Sequence, residues 1–242
     1  MSLDVTAALS RVSYPGRGII MGLSGDAGTL LAAYFIMGRS QNSRNRVLEM
    51  RPDGLYTRAA DESKVTDPSL IIYRAATMTE GKLIVTNGDQ TDTVYSFLKQ
   101  GKTFGEALST RVFEPDAPHF TPRISGLMEL SGSRPAYSLS IIKAGDPEGR
   151  TVRRCFFDYE ALPGVGHYVH TYRENGAVLP PFEGEPEEVL FPALDGPALA
   201  QTMFEALDPD NGISLCLFLA DTKTGSVSSH IVNRYGKEAI LP

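Results

Sequence analysis

Short apolar runs separated by turn residues dominate the first part of the chain, which is the pattern of β-hairpins. The runs "GRGIIMGL" and "TLLAAYFIMG" flank "SGDAG", whose glycines and aspartate favour a tight turn between two strands. The second run is apolar almost throughout, as expected of a strand covered on both faces. "RVLEMRPDGLYTRA" predicts a second hairpin that turns at Pro52–Gly54, and "SLIIYRAATM" and "KLIVT" predict two further strands.

At "LIVTNGDQTDTVYSFL", residues 83–98, the pattern changes from a β-branched run to a helical one. From position 94 onward the apolar residues recur at helical spacing, so we expect a helix that begins near Asp92 and ends at Gly101. Thr103 and Glu106 match a capping box, which predicts a second helix through "FGEALST". Helices therefore follow the first group of strands.

The second half of the chain returns to strands. "PRISGLMEL", "AYSLSIIKA", "TVRRCFF" and "HYVHTY" each predict one, and the Pro-, Glu- and Gly-rich stretch from Gly184 to Pro197 predicts a surface loop. "ALAQTMFEAL" predicts a helix, and "ISLCLFLA" and "SVSSHIVNR" predict a closing strand pair. Many strands joined mostly by hairpins, with the helices grouped between them, favour a single α+β domain over residues 1–242.

Composition and charge narrow the classes of function. The 242 residues are enough for a sizeable core, and 42% apolar and 21% charged residues are typical of a soluble globular protein. The net charge of −6 argues against nucleic acid or an anionic membrane surface as a partner. No apolar run approaches the roughly 18 residues that a transmembrane helix needs. The N-terminal "MSLDVTAALSRV" lacks the layout of a signal peptide, so we expect a cytoplasmic protein.

The residues that carry metal and cofactor chemistry are sparse. Cys155 and Cys216 lie in apolar runs without a CxxC pair, which predicts buried reduced thiols. His167 and His170 are three apart on a predicted strand and point to opposite faces, so we expect no shared metal ion. No phosphate-binding loop, G-x-G-x-x-G or G-x-S-x-G motif occurs. We therefore expect neither a metal nor a cofactor.

Polar residues are concentrated first around "GRSQNSRNRV" and "SLIIYRAATM". Arg39, Arg44 and Arg46 make a local positive patch suited to a phosphate, with a solvated loop paired to surface acids as the alternative. Tyr73 interrupts an apolar run, and its hydroxyl needs a partner when buried. That partner is either a ligand or a core hydrogen bond.

Two further polar stretches lie at "TNGDQTD" and "FEPDAPHFTPRI". Asn87 and Gly88 are predicted to supply a left-handed turn at a helix start, whose free N–H groups bind an anion or a carbonyl. The alternative is that Asp92 merely caps the helix. Glu114 and Arg123 flank a proline-stiffened loop that leads into a strand, although each of them could be a surface charge.

The order of these motifs resembles that of the archaeal-type IMP cyclohydrolase family. "YPGRGI", "SRNRV", the tyrosine of "IIYRA", "TNGDQTD" and "EPDAPHFTPRI" carry the resemblance, which covers about Tyr14 to Lys143. The chain departs from the family at Asp89–Gln90, where the family has Ser–His, and in lacking Phe–Pro before Asn45–Arg46. The acidic loop and the C-terminal part are also longer than expected.

The resemblance implies a fold and a reaction. The fold would be a four-layer αββα sandwich of two mostly antiparallel sheets, similar to N-terminal nucleophile hydrolases but without self-cleavage, and a homo-oligomer is favoured. The reaction would be the last step of purine synthesis, in which formamidoimidazole carboxamide ribonucleotide closes its second ring and loses water to give inosine monophosphate (IMP). The partner would be a purine ribonucleotide, with no redox cofactor.

On this resemblance we assign roles as a hypothesis. Tyr73 and Glu114 would be the proton-transfer pair, Arg123 would orient the acid or neutralise substrate charge, and Asp92 would be a ligand contact or a cap. The other site residues would grip the 5′-phosphate or hold the carboxamide or formyl oxygen: Arg46 with Arg44 or Arg17 for the former, and Asn87, Gly88 and Thr91 for the latter.

Two other classes of function are consistent with the same sequence. A nucleotide-binding regulator on this scaffold would keep the phosphate arginines without the catalytic pair. An amidohydrolase or deaminating enzyme would share the fold only. A regulator has no need of Tyr73, Glu114 and Arg123 together, which favours the enzyme.

Overall fold

A computed structural model describes residues 3–65, 72–131 and 134–235. Within these ranges the chain is an α+β protein with two seven-stranded sheets. The first sheet contains one parallel pair, β1 with β12, and is otherwise antiparallel. Its strands in spatial order are β1 Leu3–Asp4, β12 Glu187–Leu190, β11 Val165–His170, β2 Arg17–Leu23, β3 Thr29–Met37, β13 Gly212–Asp221 and β14 Val227–Asn233.

The second sheet is antiparallel throughout. The hairpin that precedes the predicted helices and the hairpin that follows them both belong to this sheet. The predicted turn at Pro52–Gly54 joins its last two strands, as expected. In spatial order the strands are β10 Val152–Glu160, β9 Ala136–Ala144, β8 Arg123–Glu129, β7 Lys82–Thr86, β6 Arg74–Thr79, β5 Gly54–Ala59 and β4 Arg46–Arg51.

The helices cover the outer faces of the two sheets. Apolar side chains of α1 and α5 pack on the first sheet, and those of α3 and α4 pack on the second. A third apolar cluster lies between the sheets. This confirms the predicted sandwich, whereas its likeness to N-terminal nucleophile hydrolases stays a prediction. The helices are α1 Val5–Ser10, α2 Gln41–Arg44, α3 Gln90–Lys99, α4 Phe104–Ser109 and α5 Gly196–Glu205.

The apolar run of β3 shows why periodicity is lost in a central strand. Tyr34 and Ile36 face the core between the sheets, whereas Phe35 and Met37 face the cluster under α1 and α5. Both faces are covered, so both alternating sets of positions are apolar. The prediction for this strand is confirmed.

The helix after the polar junction begins at Gln90, earlier than predicted. Asp89 occupies the N-cap position without a capping hydrogen bond, so the prediction that Asp92 caps the helix is wrong. Gln90 and Thr91 are polar yet fully buried, which is why apolar periodicity did not mark this first turn. Gly101, at a φ of +72°, ends the helix as predicted.

The capping box of Thr103 and Glu106 is confirmed. The stretch Gly184–Pro197 is not only a loop, because it contains β12 and the start of α5. β12 has four residues, two of them glutamates, at a position near the sheet edge, where polar residues are common and the strand pattern is weak. Helix α1 was not predicted.

The strand predicted from "SLIIYRAATM" begins at Arg74, so Tyr73 immediately precedes it, and Ser69–Ile71 lie outside the described residues. Cys155 and Cys216 are free, the first partly buried and the second fully. Among the described residues no three His, Cys, Asp or Glu side chains could share a metal ion. In the same part of the chain, no helix combines the length and the apolar character that crossing a bilayer requires.

Candidate active site

The register of the second sheet gathers residues from distant parts of the chain at one of its ends. In an antiparallel sheet the start of a strand lies beside the end of its neighbour. The starts of β4, β6 and β8 and the end of β7 therefore share one end of the sheet, which carries Arg46, Tyr73, Arg123 and Asn87. Arg17, at the start of β2, faces them from the first sheet and interacts electrostatically with Arg46 and Tyr73.

Three guanidinium groups are buried at this end, and those of Arg46 and Arg17 each have a buried nitrogen without a hydrogen-bond partner among the described residues. Arg46 is fully buried and donates to the carbonyls of Met37 (2.9 Å) and Ser43 (2.8 Å), but its Nη1 has no hydrogen-bond partner among the described residues. Burial, and then repulsion by Arg17, lowers the pKa of Arg46. Arg17 is 9% exposed, and its buried Nε also lacks a partner within the described ranges. Burial opposes its charge, but Glu114 and nearby tyrosines together raise the Arg17 pKa well above its ordinary value.

Glu114 is the buried carboxylate of the cluster. It lies in the loop between α4 and β8 and is 2% exposed, and its backbone N–H donates to the carbonyl of Thr121 at 2.9 Å. No described residue donates a hydrogen bond to its carboxylate. Burial raises the pKa of Glu114, against the attraction of Arg17 and Arg123. A carboxylate with a raised pKa near cations is suited to accepting a proton.

Tyr73 has the partner that its burial requires. The hydroxyl of Tyr34 lies 2.6 Å from that of Tyr73, and either can be the donor. Tyr73 is 8% exposed and lies in the core between the sheets. Tyr34 was missed by the sequence analysis, although it interrupts an apolar run just as Tyr73 does and the same reasoning would have found it.

The polar junction between β7 and α3 is held by the side chain of Asn87. Its Oδ1 accepts from the N–H of Ile124 (2.8 Å) and from Nε2 of Gln90 (3.0 Å), and its Nδ2 donates to the carbonyl of Pro122 (2.8 Å). Neither Asn87 nor Gly88 has a positive φ, so the predicted left-handed turn is wrong. The side chain of Asn87 serves to join β7 to β8.

Gly88 is required by close packing rather than by its backbone angles. A Cβ at this position would lie 2.6 Å from Nη1 of Arg123, 2.7 Å from Oε1 of Gln90 and 3.6 Å from Oε1 of Glu114. The absence of a side chain therefore lets the catalytic candidates approach the start of α3. The approach of a ligand to the backbone at this glycine stays a prediction.

Arg123 is oriented by hydrogen bonds on one side of its guanidinium. Nε donates to the carbonyl of Val112 (2.9 Å), and Nη1 donates to Asp89 (2.7 Å) and to Oε1 of Gln90 (2.8 Å). Its Nη2 makes no hydrogen bond to the residues that the structure describes. The residue is 7% exposed, and its positive charge attracts the carboxylate of Glu114.

Three residues that were predicted to contact the substrate interact with other groups of the protein. Arg44 donates through Nε to a backbone carbonyl 3.0 Å away. Thr91 is a buried residue of α3, and its Oγ1 lies 2.7 Å from Oγ1 of Thr86. Asp92 is exposed and pairs with Arg74 on the helix surface. Their contact with a substrate stays a prediction.

Two aromatic residues that the sequence analysis missed border Arg17. The rings of Tyr14 and Tyr172 stack with centroids 6.0 Å apart, and the Tyr172 hydroxyl lies 2.6 Å from Oγ1 of Thr121, which also bonds Asp116. Burial raises the pKa of Tyr172 to about 12. No local pattern marks these tyrosines, since neither interrupts an apolar run.

Replacement of Gly88 by alanine tests the packing of the site. We expect Gly88→Ala to destabilise the protein by about 1–3 kcal/mol, because the added methyl group overlaps Arg123 and Gln90. The measurement is urea denaturation. Gly105→Ala in α4, where a Cβ meets nothing within 4 Å, is the control and should be neutral or stabilising. Equal effects of the two substitutions would contradict the packing argument.

The buried carboxylate predicts a pH dependence of stability. The folded-state pKa of Glu114 lies above its ordinary value of 4.5, so folded protein binds more protons than unfolded protein between these two values. Stability from this group is present at low pH and is lost as pH rises through the folded-state pKa. The stability of Glu114→Gln relative to the wild type should therefore increase with pH across this window, as measured by urea denaturation at several pH values.

The control for this pH dependence is Glu160→Gln, at a carboxylate whose side chain is 78% exposed. Its stability should follow the wild type at every pH, because water solvates this group in both states. A constant difference between Glu114→Gln and the wild type across the window would show that Glu114 does not titrate abnormally.

Comparison with known proteins identifies the family. A family model described as IMP cyclohydrolase-like protein matches residues 14–224. The IMP cyclohydrolase of Methanopyrus kandleri is 34% identical over 115 residues, which are 46% of this chain and 57% of that protein. That of Methanosphaera stadtmanae is 26% identical over 166 residues, 67% of this chain and 75% of that protein. The first match thus spans little more than half of its relative, but the family model covers most of the chain, which belongs to the IMP cyclohydrolase-like family.

Proposed function

We propose that this protein is an IMP cyclohydrolase, which closes the second ring of formamidoimidazole carboxamide ribonucleotide with loss of water. The observation that carries the proposal is the cluster of buried, incompletely bonded charges: Arg17, Arg46, Arg123 and Glu114. Burying a charged group without a partner is costly, so such a cluster is typical of a site for a charged ligand. The names of the two archaeal relatives support this assignment.

The cavities elsewhere on the surface are less suited to this ligand. One of about 240 Å³ and another of about 420 Å³ contain none of the four buried charged residues. The first is lined mainly by apolar groups, including Met50, Leu55 and Phe218. The buried charged residues therefore favour the cluster, rather than either cavity, as the site that binds the nucleotide.

The arginines would bind the 5′-phosphate. The free Nη1 of Arg46 and the guanidinium of Arg17 are donors that a phosphate dianion can accept from in a bidentate manner. Two other hydrogen bonds already hold Arg46 in place, so its orientation is fixed before substrate arrives. Arg44 is a weaker candidate, because its Nε is engaged with a backbone carbonyl.

Ring closure needs orientation and proton transfer. The carboxamide nitrogen attacks the formyl carbon while Glu114 removes a proton from the nitrogen and Tyr73 donates one to the formyl oxygen. In the second step protonated Glu114 returns its proton to the hydroxyl, which leaves as water. The Tyr73 phenolate then takes the proton of the former formamido nitrogen, and a C=N bond forms between that nitrogen and the former formyl carbon. Both residues regain their starting states, so no further reactant is required.

Neighbouring groups support these two steps. When Tyr34 donates its hydrogen bond, it stabilises the phenolate of Tyr73. The free Nη2 of Arg123 would stabilise negative charge on the formyl oxygen. Because the side chain of Asn87 is engaged in joining two strands, we assign it a positioning role instead of a direct contact.

Substitution of the proton-transfer pair tests the reaction. Tyr73→Phe and Glu114→Gln should each lower kcat by about 10²–10⁴-fold, since each removes a proton-transfer group and leaves the phosphate contacts in place. Ring closure is followed by ultraviolet absorbance on adding the open-ring nucleotide. Tyr56→Phe, at a tyrosine bonded to Asp53, is the control. Wild-type rates in both variants would refute the assignment.

The same assay separates the alternatives. Binding of the open-ring nucleotide without an absorbance change would favour a regulator, and release of ammonia would favour an amidohydrolase. Either result with the wild-type protein would refute the cyclohydrolase proposal.

Substitution of Arg17 tests the phosphate site. Arg17→Met should weaken IMP binding by about 10- to 100-fold, because a charge-assisted hydrogen bond is lost, and should leave inosine binding unchanged. Calorimetric titration with both ligands provides the comparison. Arg51→Met, at an exposed arginine of β4, is the control. Equal weakening for the nucleotide and the nucleoside would mean that Arg17 contacts another part of the ligand.

A further inference from the structure

A row of charges runs from the buried Arg123 to the surface. Asp89 accepts from Nη1 of Arg123 through Oδ1 (2.7 Å) and from Nη2 of Arg111 through Oδ2 (2.5 Å). The side chains of Arg123, Arg111 and Asp89 are 9%, 24% and 61% exposed. One carboxylate at the edge of the site therefore pairs with two arginines of different burial.

Asp89 and Arg111 are both held in place by secondary structure. Asp89 occupies the N-cap position of α3, and Arg111 follows the end of α4. The carbonyl of Arg111 accepts from Nη2 of Arg154 in β10 at 2.6 Å. The pairing thus ties the two helices to the strand that carries Arg123.

The pairing controls the direction in which Arg123 presents its charge. Asp89 and Gln90 both accept from Nη1, and Val112 accepts from Nε, so that Nη2 is the group without a partner among the described residues. The missing side chain of Gly88 brings this guanidinium close to Glu114. Asp89 therefore acts on the cation nearest to the start of α3.

The charged groups that face Glu114 come from several elements. Arg17 of β2, Arg46 of β4 and Arg123 of β8 attract its negative charge, and Asp116 in its own loop repels it. Of the three arginines, Arg123 is the one that makes an ion pair with a carboxylate among the described residues, 2.7 Å from Asp89. A change at Asp89 would therefore change the net charge around Arg123, and with it the electric field at Glu114.

We propose that Asp89 and Arg111 are positioning residues that set how much of the positive charge of Arg123 acts on Glu114 and on the substrate. This inference rests on the proposed function for its catalytic consequence. Removing the carboxylate of Asp89 leaves Arg123 less neutralised and favours ionised Glu114. Removing Arg111 takes away a positive charge and leaves Asp89 paired with Arg123 alone, which disfavours ionised Glu114. The two substitutions should therefore act in opposite directions.

The test measures Glu114 with and without turnover. The variants are Asp89→Asn and Arg111→Met, and each is studied by a pH titration of carboxyl-labelled glutamate in NMR, with Glu114→Gln used to assign the resonance. The acid limb of the kcat profile is measured in parallel. We expect the acid dissociation constant of Glu114 to rise about two- to fivefold in Asp89→Asn and to fall by a similar factor in Arg111→Met, the range expected for a partly exposed ion pair.

The matched control is Glu49→Gln. Glu49 is also a carboxylate between two arginines, Arg51 (2.9 Å) and Arg58 (3.2 Å), and its side chain is 34% exposed. It lies on β4 and points away from Leu48 and the core between the sheets. Its substitution should leave the titration of Glu114 and the kcat profile unchanged.

Each outcome bears on one proposal. Shifts in the same direction for both variants, or no shift beyond the control, would overturn the inference while ring closure by the wild type upholds the proposed function. Opposite shifts of the Glu114 titration in a protein that does not close the ring would refute the proposed function and support the electrostatic role of Asp89. A merely structural role for Asp89 and Arg111 would not give shifts of opposite sign.

Discussion

The arrangement of the site depends on burying more positive than negative charge at one end of a β-sandwich. Arg17, Arg46 and Arg123 surround a single buried carboxylate, Glu114, and their donors are only partly used by the protein itself. Such an arrangement destabilises the folded chain. The apolar clusters between and outside the two sheets offset this cost and hold the charges in place.

The scaffold places these groups through strand register and the packing of a polar junction. Antiparallel pairing puts three strand starts and one strand end at the same end of the second sheet, and each contributes one polar residue to the site. Asn87 and Gly88 then fix the distance between the sheet and α3, one by its hydrogen bonds and the other by its lack of a side chain. Proton transfer requires such fixed distances, because a small misplacement of either group slows ring closure.

Local patterns predicted most elements because they act over short distances. The hairpins around Gly25 and Asp53, the capping box of Thr103 and the helix end at Gly101 depend on neighbouring residues alone. The failures have physical causes. The first turn of α3 was not recognised because its buried residues are polar. Strand β12 was not recognised because it is short and acidic and lies in a stretch whose composition is typical of a loop. Tyr73 precedes its strand because its N–H donates to the side-chain hydroxyl of Thr57 in β5 instead of to a backbone carbonyl of that strand.

The sequence by itself determined most of the strands and helices, the family resemblance and the residue types able to bind a phosphate and transfer a proton. Only the tertiary structure decided which of these residues meet. It showed that Arg46 is fully buried whereas Arg44 is not, and that the side chain of Asn87 is engaged within the protein. It also added Tyr34 and Tyr172 to the residues of the site. The physical reason is that periodicity reports which face of an element is apolar, whereas burial of a charge and the distance between side chains depend on how the two sheets pack.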